Sequence, residues 1–223
     1  LRWYLALADA PSVAGGGCRH APLVIPSVIG TVRNRPTVTS HRQIPWDQRA
    51  ARVLVQPLVN TPLTPNQLTV ATLLVALAGS ALLGLGAAAA ANWGAGLFVL
   101  ARFLDHFDGE LARQKKMSSR LGYYLDYLSG AISYGIFFLC VGIGLRHGML
   151  GDWSIALGVA GCASAVVSMF TNLGIDKASG DVATAGTEGD ATGYPGWAGF
   201  ELEDGIYLIA PITWLGWLEY FFI

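Results

Sequence analysis

Charge is what this chain has least of. Only 13% of its 223 residues are Asp, Glu, Lys or Arg, whereas 53% are hydrophobic and the mean hydropathy is +0.47. Soluble domains average about 25% charged residues, so this composition excludes an ordinary water-soluble fold. Cysteine is scarce as well. Cys18, Cys140 and Cys162 fit neither a disulfide framework nor a paired zinc motif, and the last two fall in apolar stretches where they read as core. No internal repeat is evident. The formal net charge of -1 hides basic residues gathered into a few segments, a pattern that membrane topology explains better than nucleic-acid binding.

What fills the sequence instead is long apolar runs. Leu68 to Val99 has no charged side chain, and neither does Leu128 to Leu145. At ~1.5 Å per helical residue, about 20 apolar residues cross a ~30 Å hydrocarbon core. The sequence therefore predicts an all-α integral membrane protein, a polytopic helical bundle with five spans near 68–88, 92–114, 121–145, 151–174 and 204–223. A short turn at Ala91-Asn92-Trp93 joins the first two, and the stretch from Lys177 to Gly199 reads as a solvated loop.

Loop charges set the orientation. Arg33, Arg35, Arg42, Arg49 and Arg52 precede the first span, Arg113, Lys115, Lys116 and Arg120 lie between the second and third, and Lys177 follows the fourth. The opposite side has only Arg146, so the N-terminus is expected to face the cytoplasm. Residues 1–43 show little periodicity and read as disordered or foreign to the domain. Both ends read as incomplete, since the chain starts at Leu1 and stops at Ile223 inside an apolar run; a further span is expected beyond it. Between 45 and 60, Trp46, Ala50, Val53, Leu54, Pro57 and Leu58 recur at helical spacing. Asp47, Gln48, Arg49, Arg52 and Gln56 take much of the other face, which predicts an amphipathic helix lying in the interface.

Against this background one acidic cluster stands out. Asp105-x-x-Asp108-Gly109-x-x-Ala112-Arg113 is followed after eight residues by Gly122-x-x-x-Asp126. A charged side chain at membrane depth costs about 2.5–3.5 kcal/mol on the lenient insertion scale, so intramembrane acids imply a site with a partner. Asp105 and Asp108 share a helical face, and Gly122, Asp126 and Gly130 form a second stripe that can oppose it. Three carboxylates brought together repel unless a cation joins them. Oxygen-only ligands suit a hard ion, Mg²⁺ or Mn²⁺. The plainer alternative is an ion-pair network with Arg102 and Arg113 that only ties helices together. His106, between the acids but off their face, reads as packing or as meeting headgroups.

The spacing resembles the signature of the CDP-alcohol phosphotransferases, Asp-x2-Asp-Gly-x2-Ala-Arg-x8-Gly-x3-Asp-x3-Asp, at every fixed position from Asp105 through Asp126. Thr64-Pro65-Asn66-Gln67-Leu68-Thr69 also resembles the element that precedes the family's first span. The likeness covers roughly 45–223, with the membrane domain at 64–223 and truncated relative to the family's six spans. It implies transfer of a substituted phosphate from a CDP-linked lipid, usually CDP-diacylglycerol, to an alcohol with release of CMP, in phospholipid synthesis at a bacterial inner membrane, the active site facing the cytoplasm. It further implies that Asp105, Asp108 and Asp126 ligate Mg²⁺ or Mn²⁺. Asn66, Asp105, Gly109, Ala112, Arg113 and Gly122 would bind the CDP group, and a homodimer is expected.

One position departs from the signature. The family's fourth aspartate, expected to deprotonate the acceptor, is Gly130 here. General-base catalysis is typically worth ~10²–10⁴-fold, so this glycine leaves open a catalytically impaired member that binds CDP-lipid and metal without turnover. A non-enzymatic structural membrane protein is a second alternative. Candidate substitutes for the base are Glu110, Tyr127, Ser129 and Asp176, or activation of the hydroxyl by metal. Asp176 otherwise reads as a solvated helix end.

Overall fold

The computed structural model describes residues 46–179, 196–197 and 200–222. They belong to a compact unit that begins at Arg42; residues 1–43, expected to be disordered or foreign, lie outside the described residues. The chain runs α1 (Trp46–Leu54), α2 (Gln56–Val59), α3 (Pro65–Gly84), α4 (Ala88–Lys115), α5 (Arg120–Gly144), a 3-10 turn (Leu145–His147) and α6 (Trp153–Ser179). A two-residue antiparallel pairing, Gly196–Trp197 with Phe200–Glu201, a 3-10 segment (Leu202–Leu208), α7 (Ile209–Trp214) and α8 (Leu218–Phe222) complete it. The all-α membrane architecture expected from the sequence is what forms.

Among the described residues, three helical segments are long and apolar enough to cross a membrane: Pro65–Gly84, Arg120–His147 and Trp153–Ala178. The 28-residue α4 is also long enough at ~1.5 Å per residue, with its charges crowded toward one end. The element boundaries follow local chemistry. α3 starts at Pro65 because Thr64 and Gln67 form a reciprocal capping box and Pro65 needs no amide partner there. The turn before α4 is Leu85-Gly86-Ala87, earlier than the expected Ala91-Asn92-Trp93, which is already helical.

Two expected elements are divided. The interfacial helix 45–60 breaks at Val55, where Pro57 at the start of α2 cannot extend the hydrogen-bond ladder. The fifth span, 204–223, is not one helix. Gly216 takes φ +75°, its amide donates to the Thr213 carbonyl at 2.9 Å, and the Trp217 amide donates to Ile212 at 2.9 Å. That pair of bonds is a Schellman stop, which ends α7 and redirects the chain into α8. Mean hydropathy cannot register a positive-φ glycine.

The helices pack through small residues, as expected where no hydrophobic drive separates helix from lipid. α3 is central: α4 packs chiefly on it, and α5 lies between α3 and α6 and packs on both. At the α3–α4 crossing Gly79 and Gly94 lie face to face: a Cβ on Gly94 would stand 2.5 Å from the Gly79 carbonyl oxygen. One core joins Ala76, Leu83, Phe98, Phe137, Val141 and Ile209. A second cluster, Ala51, Val55, Phe107 and Leu111, seats α1 on the charged end of α4.

Candidate metal and nucleotide site

That charged end of α4 presents two faces. His106, Glu110 and Gln114, spaced four apart, form a stripe toward α1. His106 Nε2 meets Asp47 Oδ2 at 2.8 Å, Glu110 Oε2 lies 3.9 Å from Arg52 Nε, and Gln114 Nε2 donates to the Arg52 carbonyl at 3.0 Å. Tyr207 Oη adds a hydrogen bond to Asp47 at 3.1 Å, and Lys115 Nζ donates to the Thr61 and Leu63 carbonyls at 2.7 Å each. Asp47, expected on the wet face of the interfacial helix, is therefore buried, at 4% exposure. Burial works against its charge, but the hydrogen bond and charge of His106, the Gln48 amide and the Tyr207 hydroxyl outweigh it and hold the carboxyl below its ordinary range. His106 is a partner of α1, and it does not join the acids.

The other face of α4 carries Asp105 and Asp108. Together with Asp126 of α5 they offer three carboxylate oxygens within 4.8 Å of one another. Asp108 is buried, Asp105 partly so, and Asp126 opens to the exterior. Arg102 NH1 holds Asp105 Oδ2 at 3.1 Å while the same guanidinium lies 4.6 Å from the Tyr134 ring centroid. The Thr69 hydroxyl of α3 bonds Asp108 Oδ2, and the Gly109 amide donates to Oδ1 at 2.6 Å. The donor set is all oxygen, drawn from two helices, and of a spacing that one hard divalent cation can share; it fits such an ion.

The remaining motif residues lie near the same end of α4 and at the starts of α3 and α5. Arg113 lies alongside Gly109, its guanidinium nitrogens 3.7 Å from where a Cβ would be, and donates to Glu110 at 2.8 Å. The Ala112 and Arg113 carbonyls accept the amides of Met117 and Lys116, closing α4 with Lys116 at φ 55°. Asn66 Oδ1 would stand 3.0 Å from a Cβ on Gly122, so α3 and α5 meet closely there.

Glu110, expected as a possible replacement base, is buried and shared between Arg113 and Arg52 in the α1 seam. Gly130 is buried, and a side chain there would meet Met169 Cε at 3.1 Å. Asp176 is no solvated helix end: it is 4% exposed and accepts the Tyr123 hydroxyl at 2.8 Å and that of Tyr127. Lys177 Nζ lies 5.1 Å from the Tyr124 ring centroid. Thr69 is the member of this site that sequence reasoning left without a role; it stood inside a recognised element, but nothing in one dimension pairs it with an acid 39 residues away.

A polytopic helical bundle with an oxygen-only acidic cluster at one end of its long helices defines an integral membrane protein with a charged site. The family model for CDP-alcohol phosphatidyltransferase matches residues 62–189, more than half of the chain, and the chain belongs to that family of transferases of phospholipid biosynthesis. No curated protein matches it significantly.

Proposed function

We propose that the protein transfers a substituted phosphate from CDP-diacylglycerol to an alcohol, releasing CMP, at the cytoplasmic face of a bacterial inner membrane. The observation that carries this reading is the cluster of Asp105, Asp108 and Asp126, whose ligand oxygens lie within 4.8 Å at the positions the family signature requires. Held by these three groups, Mg²⁺ or Mn²⁺ supplies neutralisation of the diphosphate and stabilisation of the departing CMP. The chain's own residues do the binding and aiming. Arg113, beside the bare backbone of Gly109, pairs with the diphosphate by exchanging Glu110 for phosphate oxygens, while Arg52 stays near Glu110 and limits the cost of leaving it. Gly122 and Asn66 line the approach to the cytidine. The basic loop residues favour the cytoplasmic orientation, and the donor's acyl chains remain in the bilayer.

A second reading is favoured by Gly130. The position where the family carries a fourth aspartate faces Met169, and both Glu110 and Asp176 are engaged by partners. On that reading the protein binds CDP-lipid and metal with little turnover.

The test is CMP release by the full chain in nanodiscs with CDP-diacylglycerol, Mg²⁺ and a panel of alcohols, beside thermal protection by the nucleotide lipid. Release that falls at least ~10²-fold in Asp108→Asn supports transfer. Protection without release supports the binding-only reading. Neither protection nor release sinks both.

A further inference from the structure

We propose that Thr69 is a positioning residue for the metal site, and that through it α3 sets the spacing of the three carboxylates. The inference rests on the metal reading above. The ligands come from α4 and α5, yet both of those helices pack against α3, so their separation depends on a helix that contributes no ligand. α3 touches both sides of the site within its first two turns. Asn66 fits against Gly122, one turn before Asp126, where a Cβ would come within 3.0 Å of its Oδ1. Thr69 donates to Asp108 Oδ2, both side chains being buried, at 3% and 7% exposure.

The consequence is directional. Asp108 has one oxygen held by its own helix, through the Gly109 amide at 2.6 Å, and the other by a neighbouring helix. Two bonds anchored in different helices, one from a hydroxyl and one from a backbone amide, fix the plane of a carboxylate, which one bond cannot. Each oxygen keeps a further lone pair, and Asp105 and Asp126 lie within ligand-sharing distance. The Thr69 hydroxyl also lies 3.2 Å from the Pro65 carbonyl, so its oxygen stays in place when the proton turns between the two acceptors. A valine at 69 keeps the shape and removes the donor; a serine keeps the donor.

The experiment is Mn²⁺ binding to the full chain in nanodiscs, followed by loss of the free-ion electron paramagnetic resonance signal, with no substrate present. Partners that orient metal ligands are typically worth 10–100-fold in affinity. Thr69→Val is expected to weaken Mn²⁺ binding about tenfold or more, and Thr69→Ser to stay within about twofold of wild type. Ser80→Ala, which removes a buried hydroxyl bonded only within α3 at Ala76, leaves the affinity unchanged. Equal affinity in wild type and Thr69→Val overturns the proposal while leaving the metal reading intact, as does an equal loss in Thr69→Val and Thr69→Ser. Absence of saturable Mn²⁺ binding in wild type overturns both. If Thr69→Val does not fold, Thr69→Ala against Thr69→Ser makes the same comparison.

Discussion

Replacing Gly94 by alanine tests whether α3 and α4 are held by direct backbone packing. The added Cβ would lie 2.5 Å from the Gly79 carbonyl oxygen, 2.9 Å from the Leu83 nitrogen and 3.0 Å from the Leu82 Cβ. Carbon–oxygen contacts relax at about 3.3 Å, so the helices must part by roughly 0.8 Å at the crossing. Two of the three opposing atoms are backbone, and no rotamer change relieves them. A gap of that size forfeits a quarter to a half of each ~0.1–0.2 kcal/mol contact spanning it, and overpacking of this kind typically costs about 1–3 kcal/mol. Alanine recovers about 1 kcal/mol over glycine in helix propensity, which leaves a net loss of up to about 2 kcal/mol. Gly96→Ala is the matched control, because its Cβ would meet only Trp214 Cζ2, at an ordinary 3.7 Å. Unfolding in mixed micelles titrated with denaturing detergent, read by tryptophan fluorescence, ranks the two variants against wild type. The reasoning fails if Gly94→Ala resists the detergent as well as wild type and Gly96→Ala do.

Two further outcomes follow from local geometry. Lys116 closes α4 in the left-handed region at φ 55°, a conformation that costs a non-glycine residue about 1–2 kcal/mol, so Lys116→Gly should raise stability by up to about 1 kcal/mol in the same titration; a loss would show that its side chain holds something the backbone does not. Asp47 has a carboxyl held below its ordinary value of 3.8. A depressed carboxyl stabilises the folded state above that value and stops doing so as pH falls through its folded value. Docking of α1 is therefore insensitive to this group from neutral pH down to 3.8 and weakens below it. Asp47→Asn at neutral pH should increase tryptic cleavage after Arg49 and Arg52 about tenfold, the equivalent of ~1.4 kcal/mol of lost attachment. Unchanged cleavage would refute the role given to the His106 contact.

Much of the fold and of the acidic cluster was legible because both are written in local patterns. Uncharged runs report helices that cross a membrane, and fixed spacings such as Asp105 to Asp108 report a shared helical face. What escaped depends on partners distant in sequence or on backbone angles. Asp47 looks like any exposed acid on an amphipathic turn until His106 and Tyr207, 59 and 160 residues onward, are folded against it. Asp176 looks like a helix end in water for the same reason. Glu110 was judged by its proximity in sequence to Asp108, whereas two residues around a helix is about 200°, enough to send it into the α1 seam. The break in the fifth segment depends on Gly216, whose φ carries no hydropathic signature.

The seam between α1 and α4 has a mechanical consequence. Its ties at His106, Glu110 and Gln114 are spaced a turn apart along one helix edge, and a fourth comes from Tyr207 on a segment far along the chain. Ties side by side along a rigid edge share load, so no single one can yield far without straining the next. α1 is therefore held along an edge and not at a single point. Through His106 and Phe107, a displacement of α1 reaches the residues directly between Asp105 and Asp108.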